Sequence, residues 1–332
     1  MSSIKSILAS KPDKGSCLNL MPSTSDKIRI GTRSSRLALA QVAEVYLLLA
    51  PHFQQIEIVP ITTSGDKIQD QNLANLGGKG LFIKELEEAL IQNKIDIAVH
   101  SAKDVPPVIH DETEIIAFTE RLDARDCFIS TKFSSLEDLP MYATVGTSSA
   151  RRKATLLHLR SDLKIVNFRG NVDTRLKKID EGEVDASILA VCGLARLAKE
   201  LKITKIIEKD VMLPSGGQGS LAVQVRKSDV KIRQIAEKIN HEETQICITA
   251  ERAFLRELGA SCSTPVAVHA VVEGGKLNLT TLLLGHDGSE VFETKSSGNL
   301  NLSAAVKLGI AAAEKTKKEA SQLLQKILKF LA

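Results

Sequence analysis

The chain has 332 residues, with 44 Lys and Arg against 40 Asp and Glu, a net charge of +4 and 43% hydrophobic residues. That balance excludes whole-chain disorder and supplies two or three buried cores on a scale of roughly 150 residues per domain. Two Tyr, no Trp and 3% aromatics argue against a surface that stacks nucleobases, and the longest small-and-apolar run, 186–195, is about half the length a bilayer demands.

Residues 1–26 read as a flexible tail: they are Ser-rich, carry Pro12 and Pro22, contain no Arg and lack a continuous apolar stretch. They fit neither a secretory signal nor an Arg-rich transit peptide, although a degenerate organelle address stays open. From Lys27 short β-rich runs alternate with helical patterns. A strand at 28–30 precedes an amphipathic helix at 37–49 and a strand at 56–59. A loop rich in Gly, Asp and Asn, 64–80, leads to a helix over 81–92. There Lys84, Glu87 and Glu88 mark the wet side, and Phe82, Leu86, Ala89 and Leu90 face inward. A strand at 95–99 follows. The alternation predicts parallel sheet.

A second series begins near Asp126, with strands at 127–129, 143–145, 164–166 and 186–190 and helices at 150–159 and 172–179. Two series joined around 119–125 suggest two lobes with a cleft between them, the usual ligand site of open α/β folds. The Gly-rich 215–219 leads to a strand at 221–225. The last third reads as a helix at 242–258, strands at 266–272 and 277–284 about a Gly274-Gly275 turn, and an interrupted amphipathic helix at 302–328. Its Lys315, Lys317 and Lys318 read as a solvated face.

Chemistry-bearing residues cluster after strands. They are Arg33 and Ser35; His100, Lys103 and Asp104; Ser149, Arg151 and Arg152; and then Arg169, Arg175 and Arg196. Arg takes a carboxylate or phosphate through two parallel bonds and stays charged, so repeated strand-end placement implies a polyanionic ligand. Any one of these Arg residues alone reads as a surface ion pair. Gly77-Gly78-Lys79-Gly80 fails the phosphate-loop pattern, no G-x-G-x-x-G follows a strand, and no G-x-S-x-G elbow is present. The seven His show no i, i+4 pairing and no clustering with Cys, so no metal site is expected. Five Cys at wide spacings, without a C-x-x-C pair, support no disulfide framework and fit a reducing cytosol.

Several motifs then form an ordered set: Ile30-Gly31-Thr32-Arg33-Ser34-Ser35, Gly78-Lys79-Gly80-Leu81-Phe82, Val99-His100-Ser101-Ala102-Lys103-Asp104-Val105-Pro106 and Gly146-Thr147-Ser148-Ser149-Ala150-Arg151-Arg152. Asn167-Phe168-Arg169-Gly170-Asn171-Val172-Asp173-Thr174-Arg175-Leu176, Gly217-Gln218-Gly219 and Cys262 before Pro265 follow. From about Ile28 to Leu331 the chain closely resembles the porphobilinogen deaminase, or hydroxymethylbilane synthase, family. The resemblance implies two periplasmic-binding-protein-like α/β domains around a cleft, 27–122 with 217–239 and 123–216. A smaller α+β C-terminal domain, 240–332, carries a cofactor cysteine.

It also implies a cytoplasmic, monomeric transferase of heme biosynthesis. Such an enzyme adds four porphobilinogen molecules, each losing ammonia, to a dipyrromethane cofactor held by Cys262 as a thioether, then releases the tetrapyrrole by hydrolysis. On the same resemblance Asp104 is the catalytic carboxylate. Lys103, Ser149, Arg151, Arg152 and Ser35 hold the cofactor, and Arg33, Arg169, Arg175, Arg196 and Gln218 serve the substrate. Lys79 and Phe82 belong to a loop that covers the site. Read without the motif, Asp104 is a turn cap and Cys262 a small buried residue. Ala260-Ser261 and Ser215-Gly216 depart from the family pattern and put the local backbone path of their loops in question. The rival reading is a non-catalytic two-lobed anion binder, which needs neither Cys262 nor Asp104. A nucleic-acid binder using Arg151-Arg152-Lys153 would need more positive charge and more aromatics.

Overall fold

A computed structural model of the chain describes residues 27–63 and 83–331. Five strands make the first sheet, in the order β2-β1-β3-β10-β4: β1 (Lys27–Arg33), β2 (Gln55–Ile61), β3 (Ile97–Ser101), β4 (Thr113–Phe118) and β10 (Leu221–Arg226). The second sheet has the order β7-β6-β8-β5-β9, from β5 (Asp126–Ile129), β6 (Thr144–Gly146), β7 (Lys164–Val166), β8 (Ala186–Ala190) and β9 (Lys205–Ile207). As the alternation predicts, β1 pairs in parallel with β2 and β3, and β6 with β7 and β8.

Each sheet is nevertheless mixed, because β10 and β5 run antiparallel to both of their neighbours. These are the strands that the chain forms just after crossing between lobes. Arriving from the other lobe, the chain meets the sheet from its opposite end, which reverses the strand and corrects the all-parallel expectation. The two crossings run side by side. Leu122 N donates to Gly219 O at 3.3 Å, and a Cβ on Gly219, at φ 103°, would sit 2.4 Å from Leu122 O. Glycine is required there by space and by conformation.

Helix α1 (Arg36–Leu49) starts at Ser35, whose Oγ accepts from Ala38 N at 3.2 Å. It lays Val42, Val45 and Leu49 on Ile28, Ile30, Val99 and Val223 of one sheet face. Helix α2 (Lys84–Ile91) covers the opposite face with Leu86, Ala89 and Leu90 against Ile95 and Ala98. Glu87, expected on its wet side, instead accepts from Gln224 Nε2 at 2.8 Å and His110 N at 3.0 Å. The second sheet carries α3 (Ala150–Leu159), capped by Ser149, then α4 (Val172–Asp180), capped by Asn171, and the short α5 (Val191–Ala195). Helix α6 (Val230–Ala236) returns to the first lobe, adding Ile232 and Ala236 to its core.

The third unit packs α7 (Glu242–Leu258) and α8 (Leu302–Glu319) on a three-stranded antiparallel sheet of β11 (Val266–Glu273), β12 (Lys276–Leu284) and β13 (Val291–Gly298). Phe254, Val268, Leu279 and Ala313 centre its core. The expected last helix is broken at Ala320, after which α9 (Ser321–Leu331) begins. Helix α7 fastens both crossings to this unit through Glu251, which is fully buried. Its carboxylate accepts from Arg121 Nη1 at 2.8 Å and Nη2 at 2.9 Å, from Gly217 N at 2.7 Å and from Ala270 N at 2.8 Å. Burial opposes the charge, but Arg121 and His269 hold the carboxyl at about 2.

Candidate active site

The C-terminal ends of β1 and β3 deliver one wall of the cleft. A small recess of about 70 Å³ is lined there by Arg33, Ser35, Gln41, His100, Lys103 and Asp104. Lys103 and Asp104 lie in a short 3-10 turn, Ala102–Asp104, and both are exposed to the cleft. Lys103 Nζ donates to Gln218 Oε1 at 3.2 Å. Although part of its surface is open to the cleft, desolvation by the surrounding walls and the charge of Arg152 lower the Lys103 pKa, against the pull of Asp104 and Asp126. His100 is buried with Nε2 2.8 Å from Gln224 Oε1. Gln224 spends its amide N–H groups on Glu87 and Thr113, so its oxygen accepts and the imidazole donates from Nε2. Burial, reinforced by Arg33, brings the His100 pKa down to about 4 despite that bond.

The opposite wall comes from α3 and the segment after β7. Arg151 and Arg152 share one fully buried carboxylate, Asp126: Arg151 Nη2 donates to Oδ2 and Arg152 Nη2 to Oδ1, each at 2.7 Å. Arg151 Nη1 also donates to Leu213 O at 2.7 Å and Arg152 Nη1 to Ile188 O at 3.1 Å. Gln218 Nε2 donates to Ala124 O at 2.6 Å and Asp126 Oδ1 at 3.0 Å. Burial by itself would raise the Asp126 pKa, but the two guanidinium groups and these bonds hold it far below the carboxylate range. The sequence reading missed Asp126, whose signal was an acid opening an otherwise apolar strand: a charge placed there demands partners.

Arg169 and Arg175 differ from that pair in charge balance. All four Nε atoms are buried without a hydrogen-bond partner, but Arg151 and Arg152 are paired with Asp126, whereas among the described residues neither Arg169 nor Arg175 forms an ion pair. Burial, then repulsion from Arg152 and Arg169, lowers the Arg175 pKa to about 10. Among the described residues, one carboxylate therefore faces Arg151 and Arg152, and none pairs with Arg169 or Arg175. Crowded, desolvated cations of this kind are a built receptor for anionic groups.

Arg196 does not join them. Its Nε bonds Glu44 Oε2 at 2.9 Å and its Nη2 bonds Gly219 O at 3.0 Å, which ties the second lobe to α1 and the crossing. Ser35 and Ser149 serve as helix N-caps at the cleft edge. Gln41, on the inner face of α1, is a recess residue that the sequence reading did not single out. Lys79 and Phe82 lie outside the described residues.

Cys262 is exposed, in the turn between α7 and β11, whereas Cys127, Cys192 and Cys247 are buried. Burial pushes the Cys127 and Cys247 thiols up to about 12, so they are poor nucleophiles. Ser261 N donates to Thr264 Oγ1 at 3.0 Å and Thr264 N to Ser261 O at 3.1 Å, so the unusual Ala260-Ser261 pair forms a closed turn.

Fold and charge together define a class: a two-lobed α/β protein with a cation-rich cleft. Among solved structures, a putative methionine-binding lipoprotein of Bacillus subtilis overlays at TM-score 0.42 with 13% identity, covering 65% of this chain and 90% of that one. Residues 28–234 match the family model described as porphobilinogen deaminase, dipyromethane cofactor binding domain, and residues 245–318 match its C-terminal domain. A porphobilinogen deaminase of Nitrobacter winogradskyi is 48% identical over 297 residues, covering 88% of this chain and 93% of its own. One from Pisum sativum, named as chloroplastic, is 45% identical over 295 residues, covering 86% and 80%. The chain belongs to the porphobilinogen deaminase family.

Proposed function

We infer that the protein is a transferase of tetrapyrrole biosynthesis: it joins four porphobilinogen molecules, losing ammonia at each addition, and releases hydroxymethylbilane by hydrolysis. The observation that carries this reading is the pair Arg169 and Arg175, which form no ion pair among the described residues, with Arg175 crowded by the charges of Arg152 and Arg169. Each porphobilinogen brings an acetate and a propionate, so a growing chain supplies the carboxylates these guanidinium groups lack. The same need fits a dipyrromethane, which when bound through Cys262 supplies the pyrrole carbon to which units are joined.

Cys262 suits the attachment because it is the exposed thiol among the described residues and a soft nucleophile. Arg151, Arg152, Lys103 and the capped N-termini at Ser149 and Ser35 hold the cofactor's carboxylates, and Arg33, Arg169 and Arg175 hold those of the incoming unit. Asp104, exposed at the turn after β3, accepts pyrrole N–H bonds and faces the positive charge that develops as ammonia departs. Arg196 and Gln218, engaged by Glu44 and by Asp126, reach substrate through a shift of the lobes.

The three sheets support a division into 27–122 with 217–239, 123–216, and 240–332. Three buried, widely spaced cysteines fit a reducing compartment, and a monomer in the cytosol is the proposed state. Among the described residues no helix is long and apolar enough to cross a membrane. Intact-mass spectrometry tests the whole reading: a dipyrrole adduct on Cys262 is expected. Active enzyme with the bare polypeptide mass, or an adduct mapped to another cysteine, overturns it.

A further inference from the structure

Downstream of Asp104 the chain runs Val105-Pro106-Pro107. The two prolines carry no N–H, so this exit can be held mainly by its carbonyl oxygens. Arg252, on α7, takes all three: Nη1 donates to Val105 O at 3.0 Å, and Nη2 to Pro106 O at 2.9 Å and Pro107 O at 3.4 Å. No carboxylate pairs with this guanidinium among the described residues, and burial, with Arg256 nearby, lowers its pKa to about 10. Burying a cation against carbonyls alone is an expensive route to stability when a neutral donor would serve. The fork geometry, which lets one rigid group reach three successive carbonyls, is what a neutral donor cannot supply.

The rest of α7 presses on the same turn. Ile248, one helical turn before Arg252, is buried in a cluster with Ala102 and Val105. On its other side the turn is pinned just ahead of β10, with Ala102 N donating to Ser220 O at 3.0 Å. Beyond Arg252, α7 ends at Gly259 in the left-handed conformation, φ 73°, and the Cys262 turn follows. One rigid helix therefore holds the exit of the Asp104 turn and launches the cysteine loop.

We propose that Arg252 is a positioning residue that sets the Asp104 carboxylate in register with the group carried on Cys262. The proposal rests on Asp104 being the catalytic carboxylate, and a double-mutant cycle separates the two claims. Arg252→Met and Arg252→Lys are made in wild-type and Asp104→Glu backgrounds, and porphobilinogen consumption is measured per cofactor-loaded molecule as determined by mass. In the wild-type background Arg252→Met is expected to lower kcat by about 10- to 100-fold, the scale of a small displacement at the reacting centre. KM stays within about twofold, since no substrate contact is lost, and Arg252→Lys falls between. In Asp104→Glu, whose carboxylate is already displaced, the same change costs less than about threefold.

Equal losses in both backgrounds, or a lowered Tm with wild-type kcat, would make Arg252 a structural strut and overturn the proposal. A wild-type rate for Asp104→Glu alone would instead show that the Asp104 reading fails and takes the proposal with it. Should the Met variant not fold, Arg252→Gln, which keeps one amide donor pair, is carried through the same cycle.

Discussion

Replacing Glu251 with Gln strips a charge from the point where both crossings meet the third unit. Four N–H donors converge on its two oxygens: Arg121 Nη1 and Ala270 N on Oε1, Arg121 Nη2 and Gly217 N on Oε2, between 2.7 and 2.9 Å. A glutamine has one oxygen and one NH₂, so in either orientation its nitrogen confronts two donors and Arg121 is left buried without a counter-charge. Removing one partner of a buried pair costs about 3–5 kcal/mol. Proton linkage gives a similar figure, because a carboxyl held at about 2 instead of 4.5 corresponds to roughly 3 kcal/mol.

At about 2–4 °C per kcal/mol for larger domains, Tm by calorimetry should fall by roughly 6–20 °C near neutral pH. The folded pKa lies below the unfolded one, so the contribution is complete above about 4.5 and fades as pH falls toward about 2. The wild-type and variant Tm values should converge over that interval. A Tm within about 2 °C of wild type near neutral pH, or a gap that ignores acidification, would refute the reasoning.

Asp104→Asn should fold, retain the cofactor and lose about 10²–10³ in rate, while Asp104→Glu keeps a measurable remainder. Porphobilinogen consumption after circular dichroism decides it, and an Asn variant near the wild-type rate makes Asp104 a turn residue. Arg169→Leu and Arg175→Leu should stall elongation, each losing a charge-assisted bond worth about 1.5–3 kcal/mol, with partly extended complexes on native gels. Arg151→Leu and Arg152→Leu should fail earlier, in cofactor loading. Full loading and normal chain lengths in all four variants would sink the carboxylate-clamp argument. His100, neutral when folded, binds fewer protons than when unfolded, so stability should drop by roughly 3 kcal/mol as pH falls from 6.5 to about 4. His100→Gln should flatten that limb of the urea-unfolding profile; parallel profiles would show that His100 contributes nothing to it.

The elements most legible in the sequence are those that follow from local period and capping. Helix α1 begins after Ser35 and α3 after Ser149 because a hydroxyl takes an orphan helix N–H, a signal contained in a few residues. Strand direction is not local. Nothing in Leu221-Ala222-Val223 says from which end the chain meets the sheet, and β13 is half polar, with too weak an alternation to stand out. The candidate site divides the same way. Arg33, Lys103, Asp104, Arg169 and Arg175 were legible because their motifs are contiguous. Asp126 beneath Arg151, Glu251 beneath Arg121 and Arg252 beside Pro106 join residues far apart in sequence, and each looks like an ordinary helix or strand charge until the partner is placed.

The position of β10 has a consequence for how the chain is made. Val223 pairs with Val99 on one side and Ala117 on the other, so β10 lies between two strands synthesised before the whole second sheet. Until the ribosome has passed Leu221, β3 and β4 present bare edges to each other across a gap no local segment can fill, while the intervening lobe completes its own sheet. The nascent first lobe is therefore the aggregation-exposed species. Its closure is a late, high-contact-order event, and lesions that slow β10 docking should reduce the yield of soluble protein more than they reduce the activity of the molecules that do fold.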